Sequence, residues 1–155
     1  MRALMTALVL GLCLASGAAL ATPQGIEVRG AWIRATPPGA PTAAGYLTII
    51  NHGPTTDRLM GGQTGVAQSV QVHEMSMAGG MMRMRPVPGG LAIGASATVK
   101  LAPNGDHLML IGLKGPLVAG QHVKVMLDFT RAGTVTVDFP VLVAAPAGGM
   151  AGMHM

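Results

Sequence analysis

The feature that most constrains this chain is a two-residue hydrophobic alternation that keeps restarting between turn signals. Side chains alternate across a strand, so each such run buries one face and wets the other. Residues 26–33, 46–50, 69–75, 81–87, 97–101, 107–113, 122–129 and 135–143 carry the pattern or a β-branched version of it. Between them stand Pro37-Pro38-Gly39, Asn51-His52-Gly53-Pro54, Pro88-Gly89-Gly90, Pro103-Asn104-Gly105 and Ala132-Gly133, which stop strands through a locked φ or a tolerated positive one. Beyond the first 21 residues no window keeps a capped helical period. Many short strands at regular spacing predict an all-β sandwich.

Residues 1–21 read differently. Arg2 supplies a positive start, residues 4–14 are apolar apart from Thr6 and Gly11, and Ala19-Leu20-Ala21 is an A-x-A cleavage site. This is the grammar of a secretory signal peptide, and the apolar run falls short of the roughly 20 residues a membrane span needs. Cys13 does not read as a lipidation site, because a lipoprotein box places a small residue before the Cys and Leu12 stands there. The expected product is a periplasmic protein that does not span the membrane, with one domain over residues 22–143. Residues 144–155, AAPAGGMAGMHM, have too little apolar bulk to fold and read as a flexible Met- and His-rich tail.

Composition then narrows the chemistry. The chain has 13 Met but only two Phe, one Trp, one Tyr and one Cys. That Cys leaves with the signal peptide, so the mature chain has neither a disulfide nor a thiol ligand. The formal net charge is +4, yet Lys and Arg are scattered and Arg83 with Arg85 is the densest group. No aromatic stacking platform accompanies them, which argues against nucleic acid as a partner. No nucleophile–base pair or carboxylate cluster stands out, so the chain does not read as an enzyme. A monomer is expected.

The Met residues gather near His. In a strand, His73 and Met75 share a face, His107 and Met109 repeat that spacing, and Met82 and Met84 share a face between them. Imidazole and thioether together are soft and neutral, a set that suits Cu(I), whereas Mg, Ca and Mn want oxygen. Zinc sites rarely use thioether, and without a thiolate a blue-copper electron-transfer centre is ruled out. Taken singly, a strand Met is more often gap-filling core, and a metal-free sandwich used for assembly or adhesion stands as the rival. Met60 and Met126 read as plain core.

At this point the residues resemble a known family, the periplasmic copper(A) chaperones of PCuAC type. The stretches AWIRATPPGAPTAAGYLTIINHG (31–53), VHEMSMAGGMMRMRPV (72–87) and LAPNGDHLMLIGLKGPL (101–117) look like its conserved blocks. The similarity runs over about residues 28–143. It implies a cupredoxin-like Greek-key β-sandwich and a Cu(I) site of His73, Met84, His107 and Met109, with Met75 as an outer thioether. The family signature is His, ten residues, Met, 21 residues, then His-x-Met. Here ten residues separate His73 from Met84, but 22 separate Met84 from His107. The turn Pro88-Gly89-Gly90 is the expected place for the extra residue, because surface loops tolerate insertion. One residue more inside the strand leading to His107 would flip its side chains across the sheet.

The resemblance further implies delivery of copper to the CuA site of cytochrome c oxidase subunit II, or to another copper assembly protein. The alternative is a copper buffer or resistance protein with no dedicated recipient. Met150, Met153, His154 and Met155 look like the Met- and His-rich tail of some members, and imply a second site that takes Cu(II). Trp32 and Tyr46 match the first block as core residues. His52 and His122 stand apart from the ligand set.

Overall fold

The protein's structure, a computed structural model, describes residues 25–146. The expected signal peptide, residues 1–21, and the expected tail ligands Met150, Met153, His154 and Met155 lie outside them. Ten strands follow in order: β1 (Ile26–Arg34), β2 (Thr42–Asn51), β3 (Asp57–Thr64), β4 (Ala67–Ala78), β5 (Met81–Pro86), β6 (Leu91–Ile93), β7 (Thr98–Leu101), β8 (His107–Leu113), β9 (His122–Phe129) and β10 (Gly133–Leu142). Among the described residues there is no helix, and no helix long and apolar enough to cross a membrane. Every expected run forms a strand. β8 and β9 keep the expected bounds, while β2 starts earlier, at Thr42.

β3 and β6 were not expected. DRLMGGQT has two glycines and little β-branched content, so local propensity argues against a strand. Tertiary packing decides otherwise. The strands run in the order β5-β4-β8-β2-β1-β10-β9-β3-β6, with β7 beside β2 and a further β3–β4 pairing. That pairing, at Gly62↔Val70, closes seven strands into a barrel. Closure presses backbone on backbone. A Cβ at Gly62 would sit 2.4 Å from the Met126 carbonyl oxygen, and one at Gly61, where φ is +137°, would sit 2.8 Å from that of Val70. Only glycine admits these approaches.

β1 pairs with β10 in parallel, while β1–β2, β4–β8 and β9–β10 are antiparallel. β8 lies between β4 and β2, so connections pass between sheet neighbours in Greek-key fashion. The interior is filled by alternate residues such as Ile33, Ile49, Leu59, Leu108, Leu110 and Phe139, all fully buried. Each contributes roughly 1.5–3 kcal/mol by leaving water.

The other residues of β4 and β8 therefore face outward, and His73 and His107 are among them. Met60 and Met126, expected in the core, are 51% and 41% exposed. The alternation explains it: Leu59 and Val125 take the inward positions, so their neighbours point out. Trp32 and Tyr46 are buried, yet they lie outside the main interior cluster. They pack on each other with ring centroids 4.7 Å apart.

Candidate metal centre

β4 and β8 are antiparallel neighbours in a register that puts His73 opposite His107. Val72 and Leu108 beside them point into the interior, which holds both imidazoles on the outer face. Their ring centroids lie 5.9 Å apart. Tyr46 comes within 6.5 Å of the His107 ring on the other side, and Trp32 pairs with Tyr46 across β1–β2. A row of rings thus crosses four adjacent strands. Although this is the outer face, His73 and His107 are only 9% and 7% exposed.

Met84 arrives from β5, the edge strand, where it sits opposite Met75. Its side chain reaches over β4 until Sδ is 2.9 Å from His107 Nε2. β8 stays in phase: His107 faces Met84, so the longer spacing before it has not flipped the strand. Met109 shares the His107 face one rung further along, opposite Gln71, and is half-buried.

The hydrogen bonds leave one ring nitrogen bare, Nδ1 of His73, while His107 Nε2 meets Met84 Sδ. His107 Nδ1–H donates to the Gly105 carbonyl at 3.0 Å, which turns Nε2 and its lone pair toward the Met84 sulfur. His73 Nε2–H donates to Gln71 Oε1 at 3.1 Å. His73 Nδ1 is then buried with no partner, an arrangement that costs free energy unless something electron-poor binds there. Burial, and secondarily the nearby His107, lowers the His73 pKa below the usual imidazole value, which favours the neutral ring. A neutral His with one nitrogen anchored is the form that binds metal.

His107 Nε2 and Met84 Sδ thus meet at 2.9 Å, and the His73 ring, whose Nδ1 is unpartnered, lies beside the His107 ring with centroids 5.9 Å apart. Among the described residues no three His, Cys, Asp or Glu come together, so the donor set contains no carboxylate or thiolate. This chemistry fits a soft ion such as Cu(I) and is a poor match to Zn²⁺ or Ca²⁺.

Sequence reasoning missed the residues that orient the ligands. Gln71 lies two before His73 and Gly105 two before His107. The first was legible, since i and i+2 share a strand face. Asp106, which accepts the Met75 N–H at 3.4 Å, left no such signal. Arg85 pairs with Glu74 on the reverse face of the hairpin, in keeping with ordinary edge-strand charge. His52 pairs with Glu27 and His122 with Asp138, each at 2.6 Å and well exposed, apart from the cluster.

Residues 26–141 match the family model described as LpqE-like. The chain belongs to the LpqE-like family. Over 118 residues this LpqE-like chain is 37% identical to "Putative lipoprotein Lxx21020" of Leifsonia xyli subsp. xyli (strain CTCB07), an alignment covering 76% of the chain and 70% of that protein. Among solved structures it is similar to the copper-bound PCuAC domain from PmoF2, with TM-score 0.67 and 25% identity over 80% of this chain and 97% of that one. It is also similar to the solution structure of CuI-DR1885 from Deinococcus radiodurans, with TM-score 0.60 and 38% identity over 72% and 74%. The PCuAC-type resemblance and the cupredoxin-like sandwich expected from the sequence both hold.

Proposed function

We propose that this protein is an exported copper chaperone that carries Cu(I) on His73, Met84, His107 and Met109. The observation that carries the reading is the contact of His107 Nε2 with Met84 Sδ at 2.9 Å, next to the His73 ring, 5.9 Å away between centroids, whose Nδ1 is buried without a partner. Support comes from the copper-bound PCuAC domain of the PmoF2 structure and the Cu(I) form of DR1885, which share the fold. Export to the periplasm rests on the signal peptide at residues 1–21, and kinship with a family described as lipoproteins agrees with it.

All four donors are neutral, so the ion leaves without a proton-coupled thiolate exchange. A recipient offering cysteine thiolates binds Cu(I) more strongly, and transfer runs downhill by ligand exchange. The recipient we propose is the CuA domain of cytochrome c oxidase subunit II. Met150, Met153, His154 and Met155 hold a second copper, including Cu(II) at His154, and Met75 is an outer thioether.

Mixing the Cu(I)-loaded protein with a purified apo-CuA domain tests the reading, the mixed-valence absorbance of CuA being the signal. Transfer is expected. Binding of several coppers per chain with no transfer would mean a buffer instead. If His107→Ala with Met109→Ala leaves Cu(I) affinity unchanged in a chelator competition, the ligand assignment is wrong.

A further inference from the structure

The proposed centre does not use Met77 or Met82. The β4–β5 register pairs Met77 with Met82 and Met75 with Met84, while Met81 is opposite Ala78. Alternation therefore puts Met75, Met77, Met82 and Met84 on one face of this hairpin, the face that carries His73. Met81, Arg83, Arg85 and Glu74 take the other.

Packing does not account for the outer pair. Met77 is 67% exposed and Met82 51% exposed, so neither fills a core. Met side chains left in water at paired positions need a different reason. Gly79 and Gly80, both at positive φ, make the tight two-residue turn that fixes this register. The Glu74–Arg85 ion pair ties the two strands together from behind.

We infer that Met77 and Met82, with Met75 on the next rung, form a second, thioether-only site for a soft monovalent d¹⁰ ion. It is an entry site that captures Cu(I) and passes it down the ladder to the centre at His73 and His107. The binding half stands on the hairpin alone; the passing half rests on the function proposed above. Directly opposed strand residues have Cβ atoms about 4.5–5.5 Å apart, and the unbranched Met side chain is flexible enough to bring two sulfurs onto one ion. Thioether selects Cu(I) and Ag(I) and refuses harder cations.

The direction of travel follows from the donors. The outer rung offers sulfur only, whereas the inner end adds two imidazole nitrogens, so the ion gains stronger bonds as it moves inward. At each step a new sulfur or nitrogen bond forms before an old sulfur bond breaks. Every donor is neutral before and after, so no proton or electron changes hands. Met84, already turned to His107, is the last thioether on the route.

The test uses the mature full-length chain with ¹³C-methyl-labelled Met, titrated with Ag(I) as a redox-silent probe and with Cu(I) under anaerobic conditions. The first equivalent is expected to shift the Met84 and Met109 methyls, and the second those of Met77 and Met82. In Met77→Leu/Met82→Leu the second set is lost, the first persists, and Cu(I) loading of the centre slows in stopped flow. In His73→Ala/His107→Ala, where the centre is disabled, Met77 and Met82 still respond. If Met77 and Met82 stay unmoved while excess ion shifts only Met150, Met153 and Met155, the outer site is refuted and the centre is not. Wild-type loading in the Leu double variant refutes the entry role. Response at Met77 and Met82 without any at Met84 and Met109 overturns the function proposed above and leaves the outer site standing.

Discussion

Met84→Leu separates the thioether from everything else this side chain does. Met84 is 50% exposed, so its share of apolar burial is about half the roughly 1.5–3 kcal/mol of a fully buried side chain. Leu keeps most of that volume, and near volume-conserving apolar swaps are mild. The apo-protein should therefore lose less than about 0.5 kcal/mol, as at ordinary surface positions. Copper binding is different. Sδ lies 2.9 Å from His107 Nε2, and Leu offers no donor there. Loss of an outer-shell partner alone costs about 10- to 100-fold in metal affinity, so a primary ligand should cost at least about tenfold, or about 1.4 kcal/mol. Urea unfolding of the apo-protein and Cu(I) competition against a chelator measure the two quantities on one variant. Met126→Leu, on β9 and 41% exposed, is the control, and its Cu(I) should bind within about twofold of wild type. The reasoning fails if Met84→Leu binds as tightly as wild type, or if its affinity drops only in step with a destabilised fold.

The other expectations come from neighbouring features. Gln71→Leu removes the acceptor that anchors His73 Nε2–H and should weaken Cu(I) binding about 10- to 100-fold; an unchanged titration would show that the anchor is idle. Burial and then His107 lower the His73 pKa, so between the usual value of about 6.5 and that lowered value the unfolded chain binds more protons. Apo-protein stability is thus full above about pH 6.5 and falls as the pH drops toward the folded-state pKa. Denaturant midpoints at neutral and mildly acidic pH should show a smaller loss for His73→Gln. Gly62→Ala drives a Cβ to 2.4 Å from the Met126 carbonyl oxygen, backbone against backbone, and should cost at least about 2 kcal/mol in urea unfolding; a wild-type midpoint would mean that closure at this point is soft. Intact mass of the exported protein should begin at Thr22 and carry no lipid, whereas a diacylated Cys13 product would overturn the signal-peptide reading.

The legible parts of this protein are those where neighbours along the chain decide. The bounds of β8 and β9 were readable because HLMLIGL and HVKVMLDF alternate strongly or run apolar between turn residues. The shared face of His107 and Met109 followed from the same period of two. β3 was not readable, because Gly61 and Gly62 lower local strand propensity, and the need for them arises only where β3 meets Val70 and Met126. Met60 and Met126 have the hydrophobicity of core residues, yet the alternation around Leu59 and Val125 places them outside. Gln71 is legible by spacing, since it shares a strand face with His73.

By itself the sequence determined an all-β fold, the side chains that share a face, and a soft inventory of His and Met donors, because side-chain period and ligand chemistry are local properties. Which donors meet was decided by the tertiary structure alone. A period of two says which way a residue faces and nothing about its partner. The β4–β8 register sets His73 opposite His107, and the β4–β5 hairpin swings Met84 back to His107. Those juxtapositions depend on barrel closure, which buries Leu108 and Val72 inward and leaves the imidazoles nowhere to face but the shared outer surface.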